Sequence, residues 1–111
     1  MRSKITGIRA ALLLAAGVWG QSAGATQVVV VGLVTNLQPS FMPGLVTFQM
    51  NNGAALCPAG TWLHWQNADP ENNKAVYDTL MAALLNNKTV RLYFDDQDTT
   101  CTGAYVQILS K

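Results

Sequence analysis

Trp62, His64 and Gln66 alternate within the segment Thr61 to Gln66. In a strand, that spacing puts all three side chains on one face, with Leu63 and Trp65 on the other. An indole beside polar side chains suits a sugar. The C–H face of the ring stacks on the aromatic plane while imidazole and amide groups take the hydroxyls. The competing reading makes Trp62 or Trp65 a core residue and His64, the only histidine, a structural hydrogen-bonding residue. Catalytic arrangements fit less well. Ser40 could complete a Ser-His-Asp set on paper, but no nucleophile-elbow spacing surrounds it. Asp95, Asp96 and Asp98 with Thr99 and Thr100 form an acidic loop. As a calcium loop opened at Asp96, it has Cys101 where glycine is needed and Gln107 where glutamate is needed, so it reads as a solvated turn. Carboxylates adjacent on one loop also do not flank a cleft as glycosidase acids do. The chain therefore reads as a non-enzyme, with no catalytic residues, metal or cofactor.

Cys57 and Cys101 are its only two cysteines. They are not in a C-x-x-C arrangement, and two cysteines with one histidine make a poor metal set. Their expected role is a single structural disulfide, because an export signal precedes them. Arg2, Lys4 and Arg9 lead into the apolar run Ala10 to Val18, and Ala23-Gly24-Ala25 is an A-x-A site. Residues 1–25 thus read as a signal peptide cleaved before Thr26, which implies a periplasmic or secreted protein. An uncleaved anchor is the alternative. The apolar run falls short of the roughly 20 residues needed to span a bilayer, so membrane insertion is not expected. Residues 26–111 form one domain. Lys74, Lys88, Arg91 and Lys111 stand there against Asp69, Glu71, Asp78, Asp95, Asp96 and Asp98, a formal charge of −2. That balance argues against nucleic acid, which binds to basic patches.

These residues need elements to hold them. Val28 to Leu37 is apolar and β-branched, predicting a long first strand bent at Gly32. Asn36 to Gly44, with Pro39, Pro43 and Gly44, reads as a loop carrying Phe41 and Met42, which are either exposed for a partner or folded back. Leu45 to Met50 predicts a second strand with Val46, Phe48 and Met50 inward, and Asn51-Asn52-Gly53 a turn. Thr61 to Gln66 is the third strand. Asp69 as N-cap, Pro70 at the first position, the stripe Val76, Leu80, Ala83 and Leu84, and Asn86-Asn87 at the end predict a helix over 70–87. Tyr77, Met81 and Leu85 flank the stripe and offer a subunit contact. Val90 to Phe94 and Gly103 to Leu109 predict strands four and five. Arg91, Tyr93 and Tyr105 face outward there, and Tyr105 becomes a further candidate ligand-binding residue.

The order β-β-β-α-β-β, with a bent first strand and a helix between strands three and four, predicts an α+β OB-fold-like five-stranded barrel. A sandwich of another topology competes with it. The segments Cys57-Pro58-Ala59-Gly60-Thr61-Trp62-Leu63, the helix Tyr77 to Leu85 and Lys88-Thr89-Val90-Arg91-Leu92-Tyr93-Phe94 leading to Cys101 resemble the B subunits of bacterial AB5 toxins, in the subtilase-cytotoxin and pertussis-like branch. The resemblance covers residues 57–109. It implies an OB-fold, a homo-oligomeric ring, a partner enzymatic subunit and a cell-surface glycan or receptor as ligand. It transfers no glycan-binding residue, because the first strand and the loop Gln38 to Gly44 have no counterpart in it. Two functions stay open: a glycan-binding module, and a structural or protein-interaction protein with no small ligand.

Overall fold

The computed structural model describes residues 27–111, so the expected signal peptide and its cleavage site lie outside the described residues. Six strands form two three-stranded antiparallel sheets. The strands are β1 (Gln27–Gly32), β2 (Val34–Gln38), β3 (Val46–Met50), β4 (Leu63–Trp65), β5 (Val90–Asp95) and β6 (Tyr105–Ile108), and one helix, α1 (Pro70–Asn86), lies between β4 and β5. One sheet runs β1-β5-β6 and the other β2-β3-β4. The α+β class with a single helix is as expected, but the expectation of a five-stranded barrel is corrected: the described residues form six strands whose ladders make two sheets.

The sixth strand arises where the first was expected to bend. Val30 pairs with Leu92 in β5, whereas Val34 pairs with Met50 in β3. At the break, Asn51 holds both backbone groups of Leu33. Its Oδ1 accepts from Leu33 N–H at 2.8 Å, and its own N–H donates to the Leu33 carbonyl at 3.0 Å. Asn52 Nδ2 donates to the Val31 carbonyl. A Cβ at Gly32 would collide with the Asn51 side chain, so the glycine is there for close approach. Asn51-Asn52-Gly53, expected as a turn, thus clamps the chain where it leaves one sheet for the other.

Alternation along β3 and β5 builds the core. Val46, Phe48, Met50, Val90, Leu92 and Phe94 are all buried, as the sequence pattern implied. They meet Leu63 and Trp65 of β4 and Val76, Leu80 and Ala83 of α1 in one hydrophobic cluster. α1 contacts β2 and β3 of one sheet and β6 of the other. Its ends follow the sequence closely. Asp69 caps it by accepting from Glu71 N–H at 3.0 Å, Pro70 opens it, and Asn87 closes it at φ 52°. Replacing Asp69 with alanine is expected to lower stability by about 1 kcal/mol, measured by denaturant unfolding. Of the flanking residues, Tyr77 and Met81 are partly buried and Leu85 stands in solvent.

An isolated backbone bridge also joins the two sheets. His64 and Thr102 form a parallel bridge, with His64 N–H donating to the Cys101 carbonyl at 2.8 Å and Gly103 N–H to the His64 carbonyl at 2.7 Å. The disulfide Cys57–Cys101 sits beside that bridge, its Cα atoms 5.9 Å apart. Both cysteines are buried. Such a bond persists in oxidising, exported environments. No helix among the described residues is long and apolar enough to cross a membrane.

Candidate functional site

Register decides which side chains share the outer face of the β2-β3-β4 sheet. Leu37, Phe48 and Leu63 pair across the strands on the core side; Gln38, Thr47 and His64 pair across them on the other. The loop after β2 adds Phe41 and Leu45, and Trp62 precedes β4. These six residues line a groove of about 480 Å³. Trp62 is 39% exposed and Phe41 56%, while Thr47, 4% exposed, is the most buried of the six.

Two of the residues that line this groove each carry a buried polar atom without a hydrogen-bond partner, Thr47 Oγ1 and His64 Nδ1. They belong to residues directly opposite one another in the β3-β4 ladder. Gln38, Asn36 and Gln49 nearby make hydrogen bonds within the protein. Gln38 Nε2 donates to Ser40 Oγ at 3.2 Å, Asn36 Nδ2 to Gln49 Oε1 at 3.0 Å, and Gln49 Nε2 to the Gly60 carbonyl at 2.7 Å. Ser40 is thereby a partner of Gln38.

The structure brings Trp62 and His64 together as the alternation implied, and sends Leu63 and Trp65 to the core. It separates the other two candidates. β4 ends at Trp65, so Gln66 is exposed and lines no part of the groove. Tyr105 belongs to the opposite sheet. It stacks edge-on against Tyr93, with ring centroids 6.3 Å apart, in a separate groove that includes Gln107 and Asn72. Three contributors to the Trp62 groove are not among the sequence's candidate ligand residues: Gln38, Leu45 and Thr47. Thr47 carries no distinguishing signal, because its position depends on the register of β3 against both neighbours. The open question over Phe41 and Met42 resolves between them: Met42 folds back onto the core and Phe41 stays out in the groove.

The acidic loop has a local structural function. Burial works to raise the Asp98 pKa, but hydrogen bonds from the Thr100 hydroxyl and from the backbone N–H groups of Thr102, Thr100 and Cys101 outweigh it and hold the carboxyl below its usual value. The Thr100 hydroxyl donates to Oδ1 at 2.8 Å and Thr102 N–H to Oδ2 at 3.0 Å. Asp98 thus shapes the turn that delivers Cys101, in the left-handed region at φ 57°, to the disulfide. Among the described residues, no cluster of three His, Cys, Asp or Glu side chains could hold a metal ion.

No protein-family model, curated protein or solved structure matches the chain.

Proposed function

We propose that this chain is an exported, non-catalytic binding protein, periplasmic or secreted, that recognises a glycan in the Trp62 groove. The observation that carries this reading is the pairing of two exposed aromatic rings, Trp62 and Phe41, with two unpartnered buried polar atoms, Thr47 Oγ1 and His64 Nδ1. Aromatic faces and a few convergent polar groups are the usual composition of a sugar site. The groove offers His64 no carboxylate to orient it as a base, which favours binding over catalysis.

The order of strand pairings supports the same reading. If β1 and β2 are taken as one bent strand, the pairings run β1–β5–β6 and β2–β3–β4, and the parallel His64–Thr102 bridge links β6's lead-in to β4. That circuit follows OB order, and OB domains bind oligosaccharides or oligonucleotides on the corresponding strand face and its loops. Nucleic acid is disfavoured by the formal charge of −2 over residues 26–111. A role like that of a toxin B subunit, with a partner subunit and a ring of copies, is the fullest form of the proposal.

A glycan-array screen of the oxidised protein tests it, with Trp62→Ala as control. Selective binding is expected, weakened about thirtyfold in the variant, the effect of losing a buried aromatic anchor worth about 2 kcal/mol. A blank array from folded, disulfide-bonded protein sinks the reading.

The outer face of the other sheet favours a second function, protein interaction. Val29, Tyr93 and Tyr105 pair across β1, β5 and β6, with Val31, Arg91 and Gln107 in the next row. Val29 and Val31 are each 41% exposed and Tyr105 60%. Such a face suits a protein partner or another copy of the chain, and a blank array would move the weight to it.

A further inference from the structure

We infer that the ligand of the Trp62 groove is an uncharged saccharide, one hydroxyl of which sits between Thr47 Oγ1 and His64 Nδ1 while its ring stacks on Trp62. The inference rests on the glycan reading above and adds the class of sugar and the atoms that select it.

Buried polar groups are almost always paired, and an orphan carries its full desolvation penalty. Here two orphans lie on cross-strand neighbours in one groove. An alcohol satisfies both, because it donates one hydrogen bond and accepts another. It also suits either tautomer of a neutral imidazole. A carboxylate accepts only, so it fits His64 only when Nδ1 carries hydrogen. Both protein atoms are covered, so a hydroxyl reaches them when a side chain moves aside. Phe41 lines the same groove and is more than half exposed on its loop.

Charge points the same way. Apart from His64, the lining side chains are Gln38, Phe41, Leu45, Thr47 and Trp62, none of them ionisable. The cations of the described residues lie elsewhere. Arg91 donates to Gln107 Oε1 at 3.1 Å on the opposite sheet, Lys74 pairs with Asp78 at 3.2 Å along α1, and Lys88 donates to the Ser110 carbonyl at 3.2 Å. Lys111 lines no part of the groove. A sialic, uronic or sulfated sugar would bring its charge to the groove without the charge-assisted partner that makes such binding favourable.

Thr47→Val tests this, since valine keeps the shape and deletes the hydroxyl. The oxidised protein and its variant are titrated, by calorimetry and by amide chemical shifts, with the methyl glycosides of galactose, glucose, N-acetylglucosamine and N-acetylneuraminic acid. A neutral glycoside is expected to bind and the neuraminic acid glycoside not to. The variant should bind that neutral sugar about tenfold more weakly yet melt at a higher temperature, because a methyl replaces an orphaned hydroxyl. A structural role for Thr47 would not separate binding from stability in that way. Unchanged affinity in Thr47→Val overturns the hydroxyl contact. Preference for the neuraminic acid glycoside overturns the neutral class while leaving glycan binding intact. No binding by any of the four, with a blank array, overturns both.

Discussion

Replacing Cys57 and Cys101 together by alanine is expected to lower stability by about 4 kcal/mol. The bond closes a loop with a sequence separation of 44, and the loop-closure entropy it removes from the unfolded chain is worth about that much. For a folded unit of this size, the loss corresponds to a fall of about 20 °C in melting temperature, large against the 5–15 kcal/mol of a typical small protein. The loss should also be local. Cys101 lies one residue before Thr102, whose bridge to His64 joins the two sheets. Cutting the bond frees the loop that supplies the Cys101 carbonyl to His64 N–H. Thermal melts of the oxidised, reduced and double-alanine forms measure the first effect, and amide hydrogen exchange at His64 and Gly103 the second. Melting within about 5 °C of the oxidised protein would refute the loop-closure argument.

Asn73→Ala is expected to destabilise by about 3 kcal/mol, although it removes only one side chain from the first turn of a helix. Asn73 is 1% exposed. Its Nδ2 donates to the carbonyls of Pro43 at 2.9 Å, Asn67 at 3.0 Å and, more weakly, Gly44 at 3.4 Å, and its Oδ1 accepts from Asn67 N–H at 2.8 Å. Alanine would remove all of these part-buried bonds at once, taking the side-chain partner from the Pro43 and Asn67 carbonyls and from Asn67 N–H. The same side chain pins the loop between β2 and β3, which carries Phe41 and Leu45 of the groove. The variant should therefore also weaken ligand binding without touching the ligand. Lys74→Ala is the control. Its ion pair with Asp78 joins side chains 64% and 61% exposed, and such surface pairs contribute little. Urea unfolding of both variants checks the contrast. Equal stabilities would show that the Asn73 network is dispensable.

Asn73 and Thr47 mark the limit of what could be read from the residues in order. Both are polar, both sit in patterns that suggest solvent exposure, and both are buried because of partners remote in sequence. Asn73 bonds to Pro43, 30 residues away, and Thr47 is covered where β3 lies between β2 and β4. Gln66 fails in the opposite sense. Strict alternation extended β4 to include it, but the strand pairs with β3 only from Leu63 to Trp65, so the face it was assigned to ends one residue earlier.

Several features were determined by the sequence alone. α1 forms between a capping aspartate, a proline and a left-handed asparagine, since helix ends depend on residues within one turn of each other. Inward alternation in β3 and β5 follows from the two-residue pleat. With two cysteines, only one intramolecular disulfide exists. Tertiary structure alone decided where the first strand breaks, which residues become the groove, and that Tyr105 belongs to a different surface from Trp62. Those outcomes depend on cross-strand register and on Asn51 reaching Leu33 from 18 residues away. Local periodicity records which side of its own strand a residue faces, and carries no information about the strand it will meet.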